Sequence, residues 1–260
     1  MGYDTIEVFK ERDVARVYLN RPDVHNAMDE KLMKELTTCF RGLGTDKTAR
    51  IIVLTGKGKS FCAGADLNWM KNMVNYSMDE NVEDSKLLLD LYETIYTCPK
   101  PVIGRVNGHA FGGGIGLFAV CDIVIAVNGC KFAFSEVKLG IIPAVISTYV
   151  VRRIGLSNMR RLFVTGERFD SVYAKEIGLV DFVVSNGEFD SLVEKYVEIL
   201  RSSGPIAVEE VKKLVDKYEE LDVEKYKEYT VKKIAELRVS EEGQDGINAF
   251  LDKKKPSWSG

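Results

Sequence analysis

A chain of 260 residues, 45% of them hydrophobic, is long enough to bury a substantial core in one large α/β domain or two small ones. Its formal charge of -3 gives no general attraction to phosphate backbones or anionic membranes, so neither nucleic acid nor a membrane is an expected partner. The five cysteines show no C-x-x-C spacing and the N-terminal residues are too charged for a signal peptide, so we expect reduced cysteines, no metal site and a cytoplasmic location.

Strands alternate with helices along the first part of the chain. A hairpin of two strands is predicted at 6–9 and 14–19, followed by a helix that starts after Asp29 and a buried strand at 51–55. A helix over 78–96 is ended by Pro99 and Pro101. This alternation predicts an α/β fold in which crossover units cover a buried sheet.

The second half of the chain changes character. Strands are predicted at 102–107, 122–127 and 131–134, and the last strand-like region is 173–184. Beyond it, residues 188–253 are mostly charged and have helical spacing. We therefore predict an α/β core over residues 1–190 and a helical region over 191–260.

A glycine-rich segment from His109 to Gly116 lies between a predicted strand and an apolar helix. It would expose several backbone N–H groups at a helix start, where developing negative charge can bind. It lacks the G-x-G-x-x-G order of a dinucleotide site. Close packing of helix against sheet explains the small residues equally well, so the spacing leaves both interpretations open.

Two further segments supply candidate chemistry. The stretch from Phe61 to Leu67 offers small residues after a buried strand, and two N–H donors from different loops are what an oxyanion hole requires. Glu136 follows another buried strand, where a carboxylate can have a raised pKa and act as an acid or base. Its alternative role is structural, in a salt bridge with Lys138. A nucleotide-triphosphatase loop at 56–60 is disfavoured, because Val53 stands where its first glycine belongs.

Several motifs together resemble the enoyl-CoA hydratase/isomerase (crotonase) family. They are N-R-P-D-V-H-N-A at 20–27, the 61–67 stretch, N-G-H-A-F-G-G-G at 107–114, Cys121-Asp122, E-V-K-L-G-I-I-P at 136–143, the 174–180 stretch and the ending at 246–258. The resemblance runs almost end to end. It implies a crotonase-like spiral of ββα repeats with a C-terminal helical trimerisation region, assembled as a homotrimer or a hexamer. It also implies coenzyme A as the substrate carrier, with no further cofactor.

Site residues are carried over from the resemblance one position at a time. The backbone N–H groups of Ala65 and Gly113 are expected to form the oxyanion hole for a thioester carbonyl, with Glu136 as the acid or base. Residues expected to contact coenzyme A are Ala63, Asp66 and Leu67 along the adenine and pantetheine, Ala27 near the pantetheine, and Phe250 and Lys253 at the nucleotide of a neighbouring subunit.

By the resemblance Gly116 stands at a catalytic position of the family, and it departs from the family pattern. Typical hydratases of the family carry a second glutamate there, whereas a single glutamate at the Glu136 position is typical of its double-bond isomerases. We expect the glycine to leave room for a methyl branch or a held water molecule. The segments 66–71, 135–137 and 143–147 resemble bacterial methylglutaconyl-CoA hydratases, which tend to have glycine at this position.

Three functions follow from these features. The first is addition or removal of water across the double bond of a branched 2-enoyl-CoA, most specifically 3-methylglutaconyl-CoA in leucine breakdown, with Lys71, Arg105 or Tyr149 meeting the substrate carboxylate. The second is a Δ3-Δ2 enoyl-CoA isomerase that uses Glu136 alone. The third is a non-catalytic acyl-CoA-binding subunit, suggested by the absent second glutamate.

Overall fold

Strands and helices alternate in the computed structural model, which describes residues 2–259. The strands are β1 (Ile6–Glu11), β2 (Val14–Leu19), β3 (Ile51–Gly56), β4 (Ser60–Cys62), β5 (Val102–Val106), β6 (His109–Phe111), β7 (Ile123–Val127), β8 (Lys131–Ala133), β9 (Phe169–Asp170) and β10 (Phe182–Val184). The helices are α1 (Glu30–Thr45), α2 (Leu67–Met73), α3 (Met78–Tyr96), α4 (Gly113–Ala119), α5 (Ala144–Thr165), α6 (Ser171–Glu176), α7 (Phe189–Arg201), α8 (Pro205–Glu220), α9 (Val223–Val239) and α10 (Glu241–Leu251).

The strands form two sheets. The larger has the order β1-β2-β3-β5-β7-β10, in which β1 is antiparallel to β2 and the later neighbours are parallel. The smaller has the order β4-β6-β8-β9, and β4, β6 and β8 run parallel. Three strand pairs, β3–β4, β5–β6 and β7–β8, contribute their first strand to the large sheet and their second to the small one before the chain continues into helix, whereas β1 and β2 of the first unit both belong to the large sheet. This arrangement confirms the predicted spiral of ββα repeats.

Burial explains why the central strand β3 of the large sheet begins with a continuous apolar run. Every residue of β3 is buried, as expected for a parallel strand covered on both faces. On one face, Phe189, Val193 and Val197 of α7 pack against β3 and its neighbours. Within residues 2–259, no helix has both the length and the apolar character needed to cross a membrane.

Helix α3 has the bounds that its apolar spacing predicts. Its first turn is closed by a capping box, in which the Ser77 side chain accepts from the Glu80 N–H and the Glu80 carboxylate accepts from the Ser77 N–H. Helix α1 begins where Asp29 accepts a hydrogen bond from the Leu32 N–H at 2.8 Å. These two helices pack against each other and bring α3 beside the small sheet's helix α4.

Two predictions about the chain's secondary structure need correction. The glycine-rich segment does not merely connect a strand and a helix, since 109–111 is itself strand β6 and α4 begins at Gly113. The region 173–184 is strand only in β10, because its first part belongs to helix α6, which Asp170 caps. Helix α7, which packs on the large sheet, runs across residue 190, where the predicted core and helical region meet. The division into core and helical region remains a prediction.

Candidate active site

Three predicted site residues follow the three parallel strands of the small sheet. Ala65 comes after β4, Gly113 after β6 and Glu136 after β8. The register pairs Cys62 with Ala110, and Ala110 in turn with Phe132 of β8. Because the carboxyl ends of parallel strands lie at one edge of a sheet, their loops meet there, and that edge is where α/β proteins commonly bind ligands.

Close backbone contacts show that the loops after β4 and β6 touch. A Cβ atom on Gly64 would lie 2.8 Å from the Phe111 carbonyl oxygen, and one on Gly114 would lie 2.4 Å from the Cys62 carbonyl oxygen. Gly64 also has a φ of +93°, which other residues rarely adopt. Small residues in both loops are therefore required for the two backbones to approach. The glycines thus serve close packing, which does not exclude a second role as hydrogen-bond donors.

The same backbone leaves two N–H donors without partners. Met28 donates to the Gly64 carbonyl at 2.7 Å and accepts from the Asp66 N–H at 2.8 Å, so the Ala65 N–H between them points the other way. Gly113 is the first residue of α4, where a helix provides no acceptor for an N–H group. Across the part of the chain that the structure describes, neither N–H has an acceptor. Two such donors are suited to stabilising an oxyanion.

Gly112 makes room for the Glu136 carboxylate at the start of α4. Its φ of +50° bends the chain from β6 into the helix, while its N–H donates to the Ala133 carbonyl at 2.9 Å. A Cβ atom on Gly112 would lie 2.9 Å from Oε1 of Glu136. The carboxylate therefore lies against the residue that precedes the Gly113 N–H.

The environment of Glu136 favours an acid or base over a structural ion pair. Burial raises the pKa of its carboxyl, and a hydrogen bond from its own backbone opposes that shift only in part. Its Oε2 is buried and accepts no hydrogen bond, and it forms no salt bridge among residues 2–259. Lys138, the alternative partner, lies with its Cε 3.2 Å from a Cβ position on Gly166 instead. A carboxylate with a raised pKa and a free oxygen is well suited to transferring a proton.

The expectation of open space beside Gly116 is wrong. A Cβ atom on Gly116 would lie 2.6 Å from Cζ of Tyr92 and 2.7 Å from Cγ2 of Ile146. These side chains come from α3 and α5, and both are buried. An aromatic ring and an aliphatic side chain occupy the volume that a glutamate would otherwise fill, so neither a methyl branch nor a water molecule fits there. Gly116 as a catalytic position stays a prediction.

The Asp66 side chain caps helix α2 next to the predicted oxyanion hole. Its carboxylate accepts from the N–H groups of Asn68 at 2.8 Å and Trp69 at 3.3 Å, which starts helix α2, and it pairs with Arg21 at 3.0 Å. Burial raises the pKa of Asp66, but these hydrogen bonds and the Arg21 charge outweigh it and leave the pKa lowered. The side chain is thus committed to capping, although its position near coenzyme A remains a prediction.

The other residues predicted to contact coenzyme A differ in exposure. Ala27 is buried, Ala63 is half-buried and the Leu67 side chain is 75% exposed. Phe250 lies on α10 with 82% of its surface exposed, and Lys253 is exposed just beyond that helix. Contacts between these residues and coenzyme A stay predictions.

Two of the residues expected to meet a substrate carboxylate have other partners. The Arg105 guanidinium pairs with Asp190 at 2.7 Å and lies 4.1 Å from the centroid of the Phe189 ring, on the face that α7 covers. The Tyr149 hydroxyl donates to Glu93 at 2.7 Å. Lys71 is exposed on α2 and forms no ion pair within the described residues, so it is the one of the three that is available.

Tyr92 and Met28 contact Gly113 in the candidate site, and the sequence did not single them out. The Tyr92 hydroxyl donates to the Gly113 carbonyl at 2.6 Å, and a Cβ on Gly113 would lie 2.7 Å from Cε of Met28. In the sequence both are ordinary apolar positions. Only the inward helical spacing of Tyr92 with Leu88 and Ile95 marks it as buried.

Comparison with known proteins places this arrangement among acyl-CoA enzymes. The family model described as enoyl-CoA hydratase/isomerase matches residues 10–260. The chain is 32% identical to the crotonyl-CoA hydratase of Syntrophomonas wolfei over 260 residues, covering 99% of both chains. It is 30% identical to the short-chain-enoyl-CoA hydratase of Clostridium acetobutylicum, covering 98% of this chain and 97% of the relative. A crystal structure of an enoyl-CoA hydratase from Shewanella pealeana superposes with a TM-score of 0.95 at 37% identity, covering 98% of this chain and 96% of that one.

Proposed function

The chain belongs to the enoyl-CoA hydratase/isomerase family, and from its site we propose that it adds water reversibly across the double bond of a 2-enoyl-CoA. One observation carries the proposal: the Glu136 carboxylate, whose Oε2 accepts no hydrogen bond, lies against Gly112 at the start of α4, and the N–H groups of Gly113 and Ala65 have no acceptor in the described chain. Coenzyme A is the carrier of the acyl group and not a cofactor.

The reaction divides between the N–H donors and the carboxylate. The thioester carbonyl oxygen accepts from the N–H groups of Ala65 and Gly113. Glu136 takes a proton from water as the water oxygen bonds to C3, and the electron pair of the double bond moves onto the thioester as an enolate. The two N–H groups stabilise the negative charge that develops on the carbonyl oxygen. Glu136 then delivers its proton to C2 on the same face, which returns the carboxylate to its ionised form.

Isomerisation is a second candidate, favoured by the packing beside Gly116. Tyr92 and Ile146 exclude a second carboxylate from that position, which leaves Glu136 as the proton carrier. A single carboxylate can remove a proton from C2 of a 3-enoyl-CoA and return it at C4, with a dienolate between the two steps. The oxyanion hole has the same role in both reactions.

Product analysis separates these candidates. The protein is incubated with a panel of 2-enoyl-CoA and 3-enoyl-CoA thioesters in deuterated water, and products are followed by mass spectrometry. Hydration gives a 3-hydroxyacyl-CoA that has gained one water. Isomerisation gives a shifted double bond with deuterium uptake and no hydroxyacyl product. Tight coenzyme A binding without turnover of any thioester would contradict both and favour an acyl-CoA-binding subunit.

For the substrate we propose 3-methylglutaconyl-CoA, on the resemblance of segments 66–71, 135–137 and 143–147. Its distal carboxylate needs a cation, and Lys71 on α2 is exposed without an ion pair in the described chain. Lys71→Gln is expected to raise KM for 3-methylglutaconyl-CoA by about tenfold, the size of one charge-assisted hydrogen bond. KM for crotonyl-CoA, which has no distal carboxylate, would be unchanged. Lys34→Gln, which removes an exposed lysine paired with Glu30, serves as the matched control.

We also propose that the protein assembles as a homotrimer or a hexamer, in which Phe250 and Lys253 complete a neighbour's coenzyme A site. In support, apolar side chains on α9 and α10 are largely exposed, among them Val231, Val239, Phe250 and Leu251. Sedimentation equilibrium of the full chain tests the assembly, and a monomer at micromolar concentration would contradict it.

A further inference from the structure

A buried tyrosine is attached to the backbone of the predicted oxyanion hole. Tyr92 is fully buried in α3, and its hydroxyl donates to the Gly113 carbonyl at 2.6 Å. The same oxygen lies 3.0 Å from the position of a Cβ on Gly113 and 2.8 Å from one on Gly116. It therefore touches the first turn of α4, one peptide away from the Gly113 N–H.

Two other tyrosines form an aromatic cluster with Tyr92. The Tyr92 ring meets the Tyr149 ring edge to face, with the centroids 6.0 Å apart, whereas the Tyr149 hydroxyl points to Glu93, to which it donates at 2.7 Å, and does not contribute to this packing. Tyr96 packs on the other side of Tyr149, with centroids 5.4 Å apart. The aromatic cluster of Tyr92, Tyr96 and Tyr149 thus fixes the Tyr92 hydroxyl relative to α4.

The start of α4 needs such a constraint. Residues 112–114 are three consecutive glycines, which have no side chains to hold the backbone and a wide choice of conformations. An oxyanion hole works only when its donors are aimed in advance at the position where charge develops. The helix has seven residues, and its first residue carries the donor.

We propose that Tyr92 is the positioning residue of the oxyanion hole, which holds the first turn of α4 so that the Gly113 N–H points at the thioester oxygen. The inference rests on the proposed function, because it assigns a role within that site. Tyr92 acts through Gly113 and does not touch the substrate. Burial, reinforced by nearby Cys62 and Glu136, raises the pKa of its hydroxyl well above 10.0, so the group stays neutral and donates.

The test compares Tyr92→Phe with Tyr149→Phe. Each variant removes one hydroxyl from the same aromatic cluster and keeps the ring, but only Tyr92→Phe loses a hydrogen bond to α4. We expect Tyr92→Phe to lower kcat about fivefold, the effect of one neutral hydrogen bond, with KM changed by less than about twofold. Tyr149→Phe should leave both constants within about twofold of the wild-type values. Equal losses of kcat in the two variants, or an unchanged kcat in Tyr92→Phe, would overturn the proposal.

A measurement without turnover separates this inference from the proposed function. The enolate of acetoacetyl-CoA absorbs in the near ultraviolet, and donors in the oxyanion hole favour the enolate and lower the pH at which the bound thioester ionises. Tyr92→Phe should raise that midpoint relative to both the wild-type protein and Tyr149→Phe, even if no enoyl-CoA is hydrated. If the midpoint is the same in all three proteins, Tyr92 does not position the donor. Absence of hydration together with a raised midpoint would instead reject only the proposed reaction.

Discussion

Replacing Gly116 by alanine would add a Cβ atom 2.6 Å from Cζ of Tyr92 and 2.7 Å from Cγ2 of Ile146. Carbon atoms pack best about 3.5 to 4.0 Å apart, so both buried neighbours must retreat by about 1 Å. Inserting an extra carbon into a packed interior costs about 1 to 3 kcal/mol. Exchanging glycine for alanine within a helix raises the free energy of unfolding by at most about 1 kcal/mol. The clash is the larger effect, and we expect a net loss of about 1 to 2 kcal/mol.

Urea denaturation at neutral pH measures this loss, with Gly42→Ala as the matched control. Gly42 is also inside a helix, α1, but it is exposed, and apart from its neighbours in the helix no heavy atom of residues 2–259 lies within 4 Å of its Cβ position. Gly42→Ala should therefore raise the free energy of unfolding by about 0.5 to 1 kcal/mol. If Gly116→Ala stabilised the protein as much as Gly42→Ala does, the space beside Gly116 would be open and the packing described for Tyr92 would be wrong.

Three further predictions concern the site and its surroundings. Gly112→Ala should lower kcat at least about tenfold, since the new Cβ would lie 2.9 Å from Glu136 Oε1 at a φ of +50°; an unchanged kcat would show that the carboxylate does not need this position. Glu136→Gln should stabilise the fold relative to the wild-type protein, and increasingly so as the pH rises above 4.5. Because the pKa of Glu136 is raised in the folded protein, the native wild-type state binds more protons than the unfolded chain between 4.5 and that raised pKa, and its free energy of unfolding falls over this range. Urea denaturation at several pH values measures this effect, and a difference between the two proteins that does not change with pH would contradict the prediction. Arg105→Met should keep kcat within about twofold of the wild-type value, because the Arg105 guanidinium contacts Asp190 and Phe189 on the face that α7 covers. A rise in KM for a dicarboxylic acyl-CoA would instead show that Arg105 binds the substrate carboxylate.

Long, periodic elements of the fold could be predicted from the sequence. Helix α3 has the bounds that its apolar spacing and the following prolines indicate, and the β1–β2 hairpin pairs as expected. Strands β4, β6 and β8 have three residues each, too few to show a period, and two of them went unrecognised. Their register brings the site loops together, so convergence of the two N–H donors could not be predicted from spacing.

The interior of the site was less accessible to sequence reasoning. Glu136 and the glycines were located by their motifs, but a missing side chain at Gly116 does not reveal whether its volume stays empty. The volume is filled by Tyr92 and Ile146, which come from other helices and look like any core residues in the sequence. Packing between elements that are distant in the chain is set by tertiary structure, which a local pattern does not encode.

The Glu136 carboxylate carries the proton in the proposed reaction, and kcat of Glu136→Gln tests this claim most directly. The control is Asp84→Asn, which alters another carboxyl whose pKa is raised by burial but whose partner is the Trp69 indole N–H, at 3.0 Å. Hydration of a 2-enoyl-CoA, followed by absorbance, should fall at least about 100-fold in Glu136→Gln and less than about threefold in Asp84→Asn. Near-normal hydration by Glu136→Gln would contradict the claim.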